Sequence, residues 1–452
     1  MVATAWPRGS PSGSSVSRRR RHSARISGPP ARWIAPSTPP PPSSPEFAAL
    51  TIASALVVVI SPGCTVSFMH PRLGVGPRPW FYGGGVESVD IVIIGAGQAG
   101  LAVGYHLRRA ARRWARDGRP GKPPSFVLLD AESRPGGSWQ HYWDSLRIFT
   151  PAGMSSLPGM LMSQPPGGGN PRAADVVDYF SSYEDRYDLP VVRATPALSV
   201  TRGGPGFVVD TPRGQWGARV VVSATGTWTN PHIPRLPGSD EFAGRICHTV
   251  DYRTPEEFAG QRVMVVGAGN SGAQIAADLT DAAEKVWWAT TEPPELMPDG
   301  IGGRELFAHI SRWLAGEDVG TIPGSIVATG PVRRARDRGL VARVPMPKRL
   351  TQAGAVWPGG AEERVDAVIL CTGFRPSLGY LEGLEEEGLT LEPHPATDEA
   401  QPTRSTEIPG LYFVGYGQWT GAMSATIVGV GRSAKGAARA VLDDLAPRGT
   451  AS

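Results

Sequence analysis

Cysteine is scarce in this 452-residue chain: Cys64, Cys247 and Cys371 stand far apart, with no CxxC or CxxxxC pair. That excludes a redox dithiol and a zinc knuckle of those spacings, and it makes a reducing cytoplasm the expected compartment. No metal site is expected. No HxxEH, GxSxG or P-loop pattern occurs, so the signatures of zinc proteases, serine hydrolases and P-loop enzymes are missing. Long apolar runs are short here as well. The run "AALTIASALVVVI", Ala48 to Ile60, has 13 residues, against the roughly 20 that a membrane-spanning helix needs. With the upstream "RRRRH" it has the basic and apolar regions of a secretion signal. The expectation is nevertheless an unstructured extension and a cytoplasmic protein, with export as the lesser alternative.

Acid is nearly missing from the first 85 residues, which hold nine arginines, no lysine and a single acid, Glu46. The whole chain is only +4, so the body is net acidic and offers no global case for nucleic-acid binding. Residues 1–86 are rich in Pro, Ser and Arg, which predicts a disordered leader. The length suits two or three domains, at roughly 100–200 residues each.

What is present in the body is two glycine loops. "SVDIVIIGAGQAGLAVGYHLRRA" has a β-branched run, Val89 to Ile94, suited to a parallel strand buried on both faces. Gly95-Ala-Gly97-Gln98-Ala99-Gly100 follows, and then apolar residues at helical spacing. Gly95 suits the tight turn, Gly97 the approach of backbone to pyrophosphate, and Gly100 close packing of helix on strand. Asp130, ending the strand "SFVLLD", is the candidate ribose acid, displaced by a polar insert, "RRWARDGRPGKPPS". Gly136, Gly137 and Trp139 form a second close-approach loop. "QRVMVVGAGNSGAQIAADL" repeats the device: a strand at Arg262–Val266, then Gly267, Gly269, Asn270, Ser271 and Gly272. The first glycines of the two loops are 172 residues apart.

Two such loops imply two dinucleotides, a flavin (FAD) and its electron donor. The strand "KVWWATT" ends in Thr290 and Thr291 without an acid. This leaves room for a 2′-phosphate, so NADPH is the expected donor and NADH the alternative. Arg304 is a candidate phosphate partner. Two segments, Ala218–Trp228 and Val365–Pro376, each read as a strand followed by [AC]-T-G, with Thr372 and Gly373 in the second. They are expected where the chain leaves the flavin domain and returns to it. The fold class expected is α/β, with two Rossmann-like βαβ domains, the NAD(P)H domain inserted into the FAD domain. The expected boundaries are 1–86 leader, 87–235 FAD domain, 236–364 NAD(P)H domain, 365–447 second part of the FAD domain, and 448–452 tail.

Between the loops lies "FAGRICHTVDYR". Phe242-x-Gly244-x-x-x-His248-x-x-x-Tyr252 matches the FxGxxxHxxx[YFW] fingerprint of class B flavin-containing monooxygenases, and the chain resembles that family over about residues 88–446. More narrowly, "PGGSWQHYWDSLRIFTPAGMSSLPGM" resembles bacterial monooxygenases found with arsenic-resistance genes. The resemblance implies FAD reduced by NADPH, a C4a-hydroperoxyflavin, and transfer of one oxygen from O2 to a small-molecule soft nucleophile at S, N or As. Tyr252-Arg253 stands where Baeyer–Villiger members carry Trp-Pro or Trp-Asp, which points to heteroatom oxidation over ketone oxidation. An NAD(P)H oxidase or dehydrogenase without oxygen transfer is the other alternative. The resemblance also implies that the last helix, after "GAMSAT", aims its N-terminus at the flavin. His248, Tyr252 and Asn270 are the candidate catalytic residues, with His248 weighed more as a structural fastener. Further expectations near the cleft fall on Phe149–Pro151. Partners are a small-molecule substrate and O2, with no nucleic acid and no membrane; a homodimer is compatible with this plan.

A chain beginning at Glu87 is expected to fold, bind FAD and keep full activity, since the leader adds no element to either nucleotide fold. Soluble yield, flavin absorbance and NADPH turnover measure this, and loss of soluble expression on truncation would contradict it.

Overall fold

The structure is a computed structural model that describes residues 86–446. The leader up to residue 85 and the tail from residue 447, including the expected signal-like run and Cys64, lie outside the described residues.

The chain opens with β1 (Glu87–Ile94), α1 (Gln98–Arg116), β2 (Phe126–Leu129), α2 (Ala173–Tyr187) and β3 (Val191–Val192). Then come β4 (Ser199–Gly203), β5 (Gly206–Thr211) and β6 (Gly214–Ser223). It continues through β7 (Arg245–His248), β8 (Arg262–Val266), α3 (Asn270–Asp278), β9 (Lys285–Thr290), α4 (Gly303–Leu314), α5 (Gly330–Asp337) and β10 (Ala342–Pro345). A small antiparallel sheet follows, β11 (Arg349–Leu350), β12 (Gly354–Val356) and β13 (Glu362–Arg364). The last elements are β14 (Ala367–Leu370), β15 (Leu411–Phe413) and α6 (Ile427–Leu445).

Two large sheets result. The first runs β3-β2-β1-β6-β5-β4, with β15 also paired to β6. Its core strands are parallel, while β4, β5 and β6 form an antiparallel meander. The second runs β10-β9-β8-β14-β7 and is parallel throughout. The β-branched run of β1 is buried on both faces, as expected of a parallel strand. Ile91 and Ile93 pack with α1, α2 and α6 residues, whereas Val92 and Ile94 face a separate core that includes Leu381 and Phe413. Each such fully buried side chain contributes roughly 1.5–3 kcal/mol.

Three expectations shift. Val365–Pro376 was placed with the flavin domain, yet β14 inserts between β8 and β7 of the second sheet, with Ala367 opposite both Val263 and Arg245. The boundary expected at 364/365 therefore moves beyond Leu370. An apolar run of four buried residues fits either parallel sheet, and nothing within it names its neighbours. The fingerprint, read only as lying between the loops, contributes the edge strand β7. Finally, α1 extends to Arg116 and absorbs five residues of the polar insert.

Candidate functional site

Each glycine loop rests on its own [AC]TG segment. Gly95 holds φ +100, and a Cβ there would fall 2.6 Å from the Ala224 carbonyl oxygen. Gly267 holds φ +126, and a Cβ would fall 2.3 Å from the Cys371 carbonyl oxygen. The same hydrogen bonds tie both pairs: Ala224 N–H donates to Ile94 (2.8 Å) and Cys371 N–H to Val266 (2.7 Å). The third glycines match as well, since Cβ atoms at Gly100 and Gly272 would meet the carbonyl oxygens of Gly95 (1.9 Å) and Gly267 (2.3 Å). The two sites are thus built on one plan, and the [AC]TG strands support the loops as well as leading away from them.

Above the first loop the space is open. A Cβ on Gly97 would meet nothing within 4 Å. Gly97 and Gly269 cap α1 and α3 with no side-chain hydrogen bond, so first-turn amides are left for an anion. The Gly136-Gly137 turn arrives from the side, and a Cβ on Gly137 would lie 3.0 Å from Gly97 Cα. This cradle fits a dinucleotide pyrophosphate. Gln98 braces it: its amide donates to the Ala425 carbonyl (2.7 Å) and accepts from the Trp139 indole (3.3 Å). Ala99 is buried in the core beside it. Thr426 caps α6 by accepting from Gly429 N–H (3.0 Å).

Asp130 sits at the end of β2, 5 % exposed, and its carboxylate pairs with Arg193. Burial pushes its pKa up, while Arg193 and the amides of Glu132 and Ala96 oppose that shift. At the second loop, Thr290 ends β9 buried. Asn270 is turned to other use, its side-chain oxygen accepting from Val327 N–H at 3.0 Å. Ser271 is half-buried on the first turn of α3, and Arg304 is exposed on the first turn of α4. Gly303 seats α4 against the Phe149 carbonyl, and the Phe149 and Phe307 rings stack at 6.3 Å.

The fingerprint residues are tied to neighbouring elements by packing and hydrogen bonds. The Phe242 ring covers Gly244, where a Cβ would lie 2.5 Å from the ring and 2.4 Å from the Asp366 carbonyl. His248 Nδ1 accepts from Val250 N–H (3.3 Å), so Nε2 carries the proton and donates to the Gly373 carbonyl (3.2 Å). Both ring nitrogens are engaged, and burial lowers the His248 pKa, which favours the neutral ring that this pattern needs. Tyr252 is fully buried and donates to Asp278 at 2.7 Å. His248 and Tyr252 thus have their side-chain polar atoms in internal hydrogen bonds, and Asn270 has its Oδ1 so engaged. The sequence alone did not reveal these internal partners.

His248 grips a crossing of two strands. His232 N–H donates to Gly373 (2.9 Å) and Arg375 N–H to Asn230 (2.9 Å), while Thr372 donates to the His232 carbonyl. The rings of Trp228 and Phe374 stack across this crossing at 5.4 Å, and Tyr142 packs on Trp228 at 4.6 Å. Neither aromatic was singled out from sequence, although each lies within three residues of a TG pair. The two described cysteines are buried free thiols, with burial pushing Cys247 up to about 11 and Cys371 up to about 12. Such thiols are poor nucleophiles at neutral pH. Among the described residues no cluster could hold a metal ion, and no helix is long and apolar enough to cross a membrane.

Residues 92–297 match the family model described as pyridine nucleotide-disulphide oxidoreductase. A flavin-containing monooxygenase from Stenotrophomonas maltophilia is 41 % identical with a TM-score of 0.70, over 80 % of this chain and 100 % of that one. An uncharacterized CzcO-like oxidoreductase of Geobacillus kaustophilus is 29 % identical over 77 % of this chain and 96 % of its own length. The indole-3-pyruvate monooxygenase YUCCA1 of Oryza sativa is 26 % identical, covering 72 % and 86 %.

Three glycine substitutions separate folding from binding. Gly100→Ala drives a methyl into backbone and is expected to lower stability by about 1–3 kcal/mol or more, read by denaturant melts. Gly97→Ala is expected to keep wild-type stability and lose bound flavin. Gly269→Ala should stay yellow but need much more NADPH. Equal flavin loss in the Gly97 and Gly269 variants would contradict the assignment of the loops.

Proposed function

The chain belongs to the flavin-containing monooxygenase family, FAD- and NADPH-dependent oxidoreductases, and on that premise we propose that it transfers one oxygen atom of O2 to a soft nucleophile of a small molecule. The first loop, with Gly95, Gly97, Gly100, Asp130, Gly137 and Trp139, would hold FAD. The second, with Gly267, Gly269, Ser271, Gly272 and Thr290, would hold NADPH, with Arg304 as a candidate for its phosphate. The observation that carries the reading is the pair of matched loops joined by a crossing that His248 fastens. Bound FAD supplies electron acceptance and oxygen chemistry, with NADPH as the hydride source.

The chain's own work is binding, alignment and exclusion of water. Uncapped amides of α1 and α3 take the pyrophosphates. Asp130 accepts from ribose hydroxyls. Trp228, Phe374 and Tyr142 form an apolar floor at the crossing, where exclusion of water matters most. Tyr252 in place of tryptophan, followed by Arg253, favours S, N or As over a ketone carbon, in keeping with the likeness to arsenic-associated members. The two buried, weakly acidic thiols speak against disulfide reduction on the same fold.

The purified protein, mixed with NADPH and a panel of thioethers, amines, ketones and organoarsenicals, tests this. NADPH consumption should match oxygenated product for at least one heteroatom class. Consumption matched wholly by peroxide, with no product, would make the protein an oxidase.

His248→Ala removes two bonds to backbone, each worth about 1 kcal/mol, and is expected to keep its flavin. Hydride transfer needs reacting atoms within roughly 3–3.5 Å, and a displacement of about 1 Å can cost on the order of 100-fold. Flavin reduction by NADPH should therefore slow markedly, and peroxide release should rise as product falls. Rapid mixing decides the point: an unchanged reduction rate in the variant would rule out the fastening role.

A further inference from the structure

The acid of the first loop has a partner that the glycine pattern does not call for. Backbone bonds zip residues 192–195 onto 130–132: Asp130 N–H donates to Val192 (2.9 Å), Thr195 N–H to Asp130 (2.8 Å) and Ala194 N–H to Glu132 (2.9 Å). Ala194 takes φ 49 to make the last of these, a conformation uncommon for a residue other than glycine. Arg193 is thereby held opposite Asp130. Its guanidinium forks, with Nη1 on Asp130 Oδ2 and Nη2 on Glu184 Oε1 of α2. The side chains of Arg193, Asp130 and Glu184 are only 19, 7 and 11 % exposed.

The charged groups facing Asp130 are Arg193 on the strand extension, Glu184 on α2 and Glu132 on its own loop, with the amides of Glu132 and Ala96. Burial drives the Asp130 and Glu184 carboxyls toward the neutral form, and Arg193 is the cation that opposes it at both. A neutral carboxyl would accept poorly from a ribose hydroxyl. The ion pair occupies Oδ2 and leaves Oδ1 outside it.

We propose that Arg193 is the positioning residue for the adenosine ribose of FAD: it holds the Asp130 carboxylate charged and fixed in orientation toward the hydroxyls. Glu184 holds the guanidinium from the other side, which makes this small triad a determinant of flavin affinity. The proposal rests on the assignment of the first loop to FAD.

Titration of the apoprotein with FAD, followed by flavin fluorescence, tests it from neutral to mildly acidic pH. Arg193→Met should weaken FAD binding on the order of ten-fold or more, and the loss should grow on acidification, because Asp130 then takes up its proton at a higher pH than in the wild type. Asp130→Asn should add little in the Arg193→Met background, since both changes remove one interaction. Arg193→Lys should restore part of the affinity: it keeps the charge without the fork. Should Arg193→Met fold poorly, Arg193→Gln with Glu184→Gln removes one charge of each sign and should show the same loss and pH response. Wild-type affinity in a folded variant, or additive losses with a flat pH response, would overturn the role of Arg193. Wild-type protein that takes up no FAD would instead overturn the assignment of the loop, and the proposal with it.

Discussion

At the centre of each half of this molecule, a glycine lies so close to the carbonyl of the neighbouring strand that no Cβ fits between them. Gly95 meets Ala224 in this way, and Gly267 meets Cys371. That contact turns the chain out of its strand and starts a helix with its amides unpaired. In the first half, the open cradle over Gly97 lies at the start of that helix. A side chain at either glycine would push the loop off the sheet and move every donor that faces the phosphate.

The same contact couples the halves. Ala224 and Cys371 are not isolated props, because each leads through a TG pair into the crossing where residues 230–232 and 373–375 hydrogen-bond. A continuous run of backbone therefore links each dinucleotide loop to the crossing. His248 adds a fastener with both nitrogens committed, and Tyr252 ties the same segment to the far end of α3 through Asp278. The fingerprint residues are thus bonded to both β14's exit loop and α3.

Buried charge gathers beside the first glycine loop. Asp130, Glu184 and Arg193 form one cluster under the first cradle. Such a cluster costs desolvation, and its members balance only because the arginine forks between two acids. At the second loop the corresponding strand ends in a buried threonine, so the two halves share a backbone plan but differ in the residue at the strand end.

The sequence by itself determined the α/β class, both loops, the strands and helices that flank them, and Asp130. These are local matters: a β-branched run, a glycine spacing and an amphipathic helix follow one another within about 25 residues, and each states its own conformation. It also carried the family likeness through Phe242, Gly244, His248 and Tyr252. Only the tertiary structure decided that β14 and β7 belong to the second sheet, because an apolar strand does not encode its neighbours. Only the structure decided what the polar candidates do. Asn270, His248 and Tyr252 look available in sequence, yet each makes an internal hydrogen bond, to Val327, Gly373 and Asp278. Arg193 went unnoticed, since its two carboxylates come from other elements, 63 and 9 residues away. Hydrogen bonds between side chains distant in sequence depend on how the layers pack, and no spacing rule within one strand or loop can express that.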